Sequence, residues 1–294
     1  MVKNYFQVLV ILFFVSCHVD NERIICCGSN KVMIIDIKKS TKNNSEVIWE
    51  WQPSDSKGLP FIYMQEYFNK IDECKPANSG KEIMITSSTG GVAVIDKESK
   101  SVVFYTQIGN PHSIEELPNN IIAVAASNNI EGNCVALYQK NNAERKSFFK
   151  DSLFGAHGLF WDKDKQLLYA LGQKELRTYL LIDWLTDSPK IQIQKQWNLP
   201  DLSGHDLVSH NSNELLITTR NNVWVFDKDK HEFKAFEPIE NSKNIKGISL
   251  SKTNRIVYVK AEEKWWSHNI YFTNPDKKLS FPNINLYKVR WFKE

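Results

Sequence analysis

Short runs of apolar residues, many alternating with polar ones, follow one another along almost the whole chain after residue 22. Typical runs are KVMIIDI (31–37), EIMITSS (82–88), ELLITTR (214–220) and RIVYVKA (255–261). They are rich in Val, Ile and Tyr and are bounded by Asn, Gly, Ser, Asp and Lys, a composition typical of strands and turns. No long segment has convincing 3.6-residue periodicity, and the nearest one, TYLLIDWL (178–185), fits a strand pair with its turn equally well. The pattern predicts an all-β protein.

The strands also repeat as a unit with a period of about 43 residues. Each unit has a short first strand, a polar turn, a hydrophobic second strand, a polar loop, and a third and fourth strand, which is the pattern of one propeller blade. Five full units span roughly residues 72–282. Three strands precede them, and LYKVRWF (286–292) follows them. We therefore predict a single domain over 23–294, a six-bladed β-propeller closed by the C-terminal strand joining the N-terminal blade. A seventh blade requires hidden strands in LPFIYMQEYF (59–68).

The first strand of each propeller blade lines the central channel, so one position in each repeat is expected at a common mouth. Aligning the repeats on the residue before the first apolar step gives six polar residues: Lys75, His112, His157, His205, Lys246 and Lys288. The positions two residues later are mostly apolar, as expected for packing between blades: Ala77, Ile114, Leu159, Leu207, Ile248 and Arg290.

The basic and histidine residues of this column indicate the chemistry of the mouth. Three ammonium groups around one opening repel one another unless an anion lies between them, which favours a carboxylate, sulfate or phosphate ligand. The loops between second and third strands border the same mouth and add Arg220 as a carboxylate clamp and Trp265 as a stacking surface for a sugar ring. Each of these residues also has a structural interpretation, in which histidines bond the next blade, Arg220 is solvated and one tryptophan packs in the core.

A metal is the alternative use of the histidines. His112, His157 and His205 are a legitimate zinc or manganese ligand set, although the neighbouring lysines oppose a divalent cation unless Glu116, Asp206 or an acidic ligand screens them. We therefore expect no cofactor and keep a divalent metal as the alternative. The four cysteines after Cys17 form no CxxC pair, and Cys26 and Cys27 fit apolar fillers of a strand. GxSxG, HExxH and glycine-rich phosphate loops are absent from the sequence.

Charge and the N-terminus indicate the compartment. The net charge of +3 is spread along the chain and gives no footprint for nucleic acid. Lys3 precedes an apolar run that is too short to span a bilayer and ends at Ser16-Cys17. This resembles a bacterial lipoprotein signal, which implies a signal peptide over residues 1–17, lipidation of Cys17 and an exported protein held at the periplasmic or outer-membrane surface by its lipid alone. We expect the protein to be a monomer. A plain cleaved signal peptide is the alternative.

Several motifs extend the resemblance to the whole mature chain: MITSSTGGVAVID (84–96), PHSIEELPNN (111–120), GAHGLFWD (155–162), SGHDL (203–207) and VRWF (289–292). With these, the chain resembles a Bacteroidota family of uncharacterised β-propeller lipoproteins, a DUF6528-like domain of unknown function. The histidine cluster is also similar to that of propeller-fold uronate lyases, in which histidines hold a metal or act on the sugar. The lysines depart from that pattern and put a metal in doubt.

Two hypotheses follow. In the first, an exported lipoprotein binds an acidic glycan fragment at the channel mouth and cleaves it by β-elimination. This reaction needs cations for the developing enolate, a role for Lys75, Lys246, Lys288 and Arg220, and a base, drawn from His157, His205 and His112. In the second, the protein is a non-catalytic binding or scaffold propeller of the cell envelope.

Overall fold

A computed structural model describes residues 22–140, 146–240 and 242–292, and these residues form six four-stranded antiparallel sheets. The expected signal peptide over 1–17 and Cys17 lie outside the described residues. In the described ranges, no helix is long and apolar enough to cross a membrane.

Apart from the last strand of the chain, the strands of each sheet follow one another in sequence. Blades one and two contain β1 (Arg23–Gly28), β2 (Lys31–Thr41), β3 (Asn44–Trp51), β4 (Ile71–Ala77), β5 (Glu82–Ser87), β6 (Gly91–Asp96) and β7 (Val102–Gln107). Blades three and four contain β8 (Pro111–Leu117), β9 (Ile121–Ala126), β10 (Cys134–Gln139), β11 (Phe149–Ser152), β12 (Gly158–Asp162), β13 (Leu167–Leu171), β14 (Glu175–Ile182) and β15 (Lys190–Asn198). Blades five and six contain β16 (Asp206–Ser209), β17 (Glu214–Thr218), β18 (Val223–Asp227), β19 (Glu232–Ala235), β20 (Ile245–Leu250), β21 (Ile256–Lys260), β22 (Asn269–Phe272) and β23 (Lys277–Ser280).

The last strand, β24 (Leu286–Phe292), closes the ring. It pairs antiparallel with β1 and is the innermost strand of blade one, so that sheet has the order β24-β1-β2-β3. This confirms the predicted six-bladed propeller and its closure. The segment LPFIYMQEYF holds a π-helical turn, Tyr63–Tyr67, and no strand of a further blade. Short 3-10 turns occur at Pro53–Asp55, Asn78–Gly80, Pro118–Asn120 and Glu237–Ile239.

One residue of each inner strand packs between neighbouring blades. These residues are fully or almost fully buried: Cys74, Ile114, Leu159, Leu207, Ile248 and Val289. Four of them match the predicted apolar column, whereas Ala77 and Arg290 were wrongly placed in it. The four described cysteines are free and buried, as expected of apolar fillers.

A bulge at the start of the inner strands explains the errors in register. In β4, Ile71 pairs with Ser87 and Glu73 with Thr86, which leaves Asp72 as the extra residue. In β8 the extra residue is His112, and in β20 it is Lys246. A bulge breaks the two-residue alternation of a strand and redirects a side chain, so counting from the apolar positions fails there.

Candidate functional site

Six residues at the start of the inner strands line one end of the channel, which we call the histidine mouth. They are Asp72, His112, His157, His205, Lys246 and Tyr287. His157 and His205 take this position because their backbone N–H groups donate to Leu171 and Thr218 of the second strands, at 2.8 Å each.

Lys75 and Lys288 do not belong to this ring, which corrects their predicted position. In blade two the mouth position predicted for Lys75 is occupied by Asp72, and in blade one the position predicted for Lys288 is occupied by Tyr287. Lys75 lies farther along the channel, where its Nζ is 3.1 Å from a carboxylate oxygen of Glu115.

The three histidines of the mouth form a row. The rings of His112 and His157 stack with centroids 4.0 Å apart, and His205 meets His157 edge-on at 5.4 Å. The Nδ1 atom of His157 lies 2.9 Å from the hydroxyl of Ser127. The Nδ1 atoms of His112 and His205 are buried and have no hydrogen-bond partner among the residues that the structure describes.

Burial keeps these imidazoles neutral. It lowers the pKa of His157 to about 3, with the charge of Lys288 adding to the effect. The pKa of His112 lies well below its usual range because of burial and the neighbouring His157, and that of His205 because of burial and Lys246. At neutral pH the row therefore offers uncharged donors and acceptors.

Lys246 ends the row and is the cation of the mouth. Its Nζ lies 2.8 Å from Nε2 of His205, to which the ammonium donates, and the residue is 4% exposed. Burial and then the positive charge of Arg220 lower its pKa to about 8. In the described part of the chain, no carboxylate lies within ion-pair distance of Lys246 or Arg220.

The loops of the mouth face hold Arg220 beside this lysine. The Arg220 backbone donates to the carbonyl of Leu202 at 3.1 Å and accepts from Asn244, two residues before Lys246, at 2.8 Å. Trp265 lies in a loop of the same face and is 68% exposed. The structure therefore brings together His112, His157, His205, Lys246 and Arg220 from the predicted set.

Below the mouth, the channel is filled by a buried ionic network that the sequence analysis did not find. Lys288 is fully buried, 3.0 Å from Glu73 and 3.4 Å from Asp206. Arg290 contacts the same two carboxylates, at 3.1 Å and 2.6 Å. The predicted free charge of Lys288 is thus neutralised within the protein. The feature of the sequence that could have indicated this network is the adjacent acidic pair Asp72-Glu73 at the start of an inner strand.

The carboxyl of Asp72 was also missed as a member of the mouth. It accepts a hydrogen bond from the backbone of Ser88 at 2.6 Å. Burial raises its pKa to about 7, and the bond to Ser88 only partly opposes this. Asp72 is therefore only about half ionised at neutral pH, whereas an ordinary aspartate would carry a full negative charge into the mouth.

The described residues contain no group of three or more His, Cys, Asp or Glu side chains arranged to hold a metal. The histidine rings lie in a row rather than around one point, which does not fit the metal alternative for His112, His157 and His205. Glu116 and Asp206 were the two carboxylates expected to screen a metal ion from the lysines. Asp206 binds Arg290 in the network, and Glu116 lies at the other end of the channel.

Comparison with known proteins agrees with this architecture. A family model described as a family of unknown function, DUF6528, matches residues 19–294. A chain in the crystal structure of a nidogen/laminin complex has a TM-score of 0.64 at 11% identity, covering 92% of this chain and 98% of that one. A Bacteroides caccae protein of unknown function has a TM-score of 0.62 at 11% identity, covering 93% and 100%. No curated protein matches by sequence. At such identities the similarity to solved structures shows the fold alone.

Proposed function

The chain belongs to the DUF6528 family of unknown function, and we propose from its channel mouth that it binds a carboxylate-bearing ligand, an acidic glycan fragment. The N-terminal apolar run ending at Cys17 supports an exported, lipid-anchored protein, which would meet such glycans at the cell envelope. We propose that the monomer presents its histidine mouth to this ligand.

The observation that carries this proposal is the buried, unpaired charge of Lys246. A buried ammonium is normally neutralised by a carboxylate, as Lys288 is in the network below. Lys246 instead has a neutral imidazole on one side and Arg220, a second cation, nearby. A ligand carboxylate would supply the missing negative charge to both groups.

The rest of the mouth suits a sugar acid better than a simple ion. The Nε2 atom of neutral His157, whose Nδ1 faces Ser127, provides an uncharged hydrogen-bonding group for a sugar hydroxyl, while His205 holds Lys246 in place through its own Nε2. Trp265 is exposed on the same face and offers a flat apolar surface for a ring. A compact multivalent anion would gain only from the two cations.

The first prediction concerns Lys246→Met, which keeps the length of the side chain and removes its charge. We expect this variant to bind a galacturonic acid trisaccharide at least about thirtyfold more weakly than the wild-type protein, as when one partner of a buried charge pair is truncated. Isothermal titration calorimetry measures the difference.

Lys230→Met is the matched control, because Lys230 is exposed in the turn between β18 and β19, away from the channel. It should bind the trisaccharide as the wild-type protein does. Equal affinity of Lys246→Met and Lys230→Met would reject the proposed role of Lys246.

The second prediction is a pH dependence of this binding. The ammonium form of Lys246 binds the anion, and its pKa in the free protein is about 8. The affinity should therefore fall by up to about tenfold per pH unit above this pH, while the ligand carboxylates stay ionised. Ionisation of Asp72, with a pKa of about 7, adds a smaller decrease from pH 7 upward. In Lys246→Met only the smaller decrease should remain, and a steep fall above pH 8 there would assign the titration to another group.

β-Elimination is the second candidate function, and the lowered pKa of Lys246 is the observation that favours it. An amine with a pKa of about 8 is a competent base near neutral pH, whereas an imidazole with a pKa of about 3, as in His157, is a weak one. Arg220 would stabilise the enolate that forms on the ligand carboxylate. Ultraviolet absorbance of an unsaturated product from uronate oligosaccharides separates a lyase from a non-catalytic binding propeller, which releases none.

A further inference from the structure

A cavity of about 940 Å³ lies at the end of the channel opposite the histidine mouth, and we call it the far cavity. It opens where the inner strands end, between the turns that follow β4, β8 and β12. Its volume is at the upper end of the roughly 300–1,000 Å³ typical of small-molecule sites. The proposed anion site does not use it.

The ionic network separates the far cavity from the histidine mouth. Glu73, Lys288 and Asp206 are almost completely buried and fill the channel between the two ends. A ligand in the far cavity therefore cannot contact Lys246. The two ends are independent sites that can have different chemistry.

A lysine clamp organises the polar wall of the far cavity. The Nζ of Lys140 contacts Glu82 at 2.6 Å and Glu116 at 2.8 Å, and the lysine itself is buried. The clamp joins blade two to blade three and fixes the Glu116 carboxylate at the cavity surface. The second Glu116 oxygen makes no hydrogen bond within the described residues.

The charges around the far cavity balance. Three carboxylates, Glu82, Glu115 and Glu116, face three ammonium groups, Lys75, Lys140 and Lys163. Lys75 pairs with Glu115, Lys140 bridges the other two, and Lys163 is exposed at the rim. Unlike the histidine mouth, this end has no buried cation without a carboxylate partner among the described residues, so no buried charge there calls for an anionic ligand.

Apolar and amide groups complete the lining. Trp161, Trp291, Met84 and Leu250 provide apolar wall, while the exposed side chain of Asn120 stands at the rim. Apolar surface next to fixed carboxylates and amides matches a ligand that has both C–H faces and hydroxyl groups.

We propose that the far cavity is a second ligand site that binds a short neutral oligosaccharide. Sugar hydroxyls donate to the free oxygen of Glu116 and to Glu115, and the C–H faces of the rings pack against the apolar wall. This site is independent of the anion site at the histidine mouth, and its ligand class differs because its charges are already paired.

Fluorine NMR of the protein labelled with 5-fluorotryptophan tests this proposal. Trp161→Phe and Trp291→Phe assign the two cavity resonances, and the probes are maltotriose, cellotriose and xylotriose. We expect at least one probe to shift the Trp161 or Trp291 resonance saturably and to leave Trp265 unmoved. Glu116→Gln should weaken that binding about tenfold, since it loses a hydrogen bond to a charged acceptor.

Two controls make the result specific. Lys246→Met should bind the neutral probe with unchanged affinity, and galacturonic acid trisaccharide should leave Trp161 and Trp291 unshifted. The proposal is overturned if none of the three neutral probes gives a saturable shift, or if the shift is the same in Glu116→Gln. Because the variants at the two ends differ, failure at the far cavity leaves the anion measurement untouched, and the reverse also holds.

Discussion

Replacement of Glu73 by glutamine is expected to lower the free energy of unfolding by about 3–5 kcal/mol, the range for breaking a buried ion pair by removing one charge. Glu73 is fully buried and contacts both Lys288 and Arg290. Burial opposes its ionisation, but Arg290 and Lys288 outweigh this and lower its pKa. The amide would leave two buried cations with Asp206 as their remaining acidic partner. Urea unfolding followed by tryptophan fluorescence measures the loss.

A double-mutant cycle with Lys288→Met isolates the ion pair. Because the double variant removes one charge of each sign, we expect it to be more stable than the sum of the two single losses implies. Glu50→Gln is the surface control, because its ion pair with Lys31 is half-exposed and should contribute less than about 1 kcal/mol. Additive losses would show that Glu73 and Lys288 are not energetically coupled. A loss in Glu73→Gln no larger than in Glu50→Gln would show that the network contributes little to stability.

The fold could be predicted because its determinants are local. Each blade repeats the same order of strands and turns, and LYKVRWF supplies the single strand that the first blade lacks. These features depend on apolar runs and turn residues that can be read over a few positions. The helical turn at Tyr63–Tyr67 was the one segment whose apolar residues left the blade count open.

The site was predicted only in part, because its register depends on bulges. His112, His157 and His205 were assigned to the mouth correctly, since His157 and His205 directly precede β12 and β16 and His112 is the bulge residue at the start of β8. Lys75 was assigned to the mouth position that Asp72 occupies three residues earlier. The reason is that β4 contains three charged residues, and the sequence does not show which of them lies at the mouth. One wrong step in a strand moves a side chain from the mouth into the channel.

The ionic network and the far cavity could not be predicted before that register was known. Glu73 and Asp206 come from blades two and five and meet Lys288 and Arg290 of the closing strand only inside the folded channel. Which charges face the channel depends on bulge positions, and the size of the gap at its far end depends on packing across several blades. No motif in the sequence encodes either property.

Val289→Asp, a substitution in the closing strand β24, is expected to cause the second large loss of stability. Val289 is fully buried in β24, pairs with Cys26 of β1 and packs in the apolar cluster between blades one and six. A carboxyl group there has no partner, so the free energy of unfolding should fall by about 4 kcal/mol or more.

If Val289→Asp does not fold, Val289→Thr keeps the prediction testable, because a buried hydroxyl in a side chain of nearly the same shape should cost about 1–3 kcal/mol. Val103→Asp is the matched control on the outer strand β7, where the valine is 38% exposed and the loss should stay below about 1 kcal/mol. Urea unfolding curves give all three values. Equal losses at positions 289 and 103 would contradict a ring that is closed by its C-terminal strand, because that closure is what buries Val289.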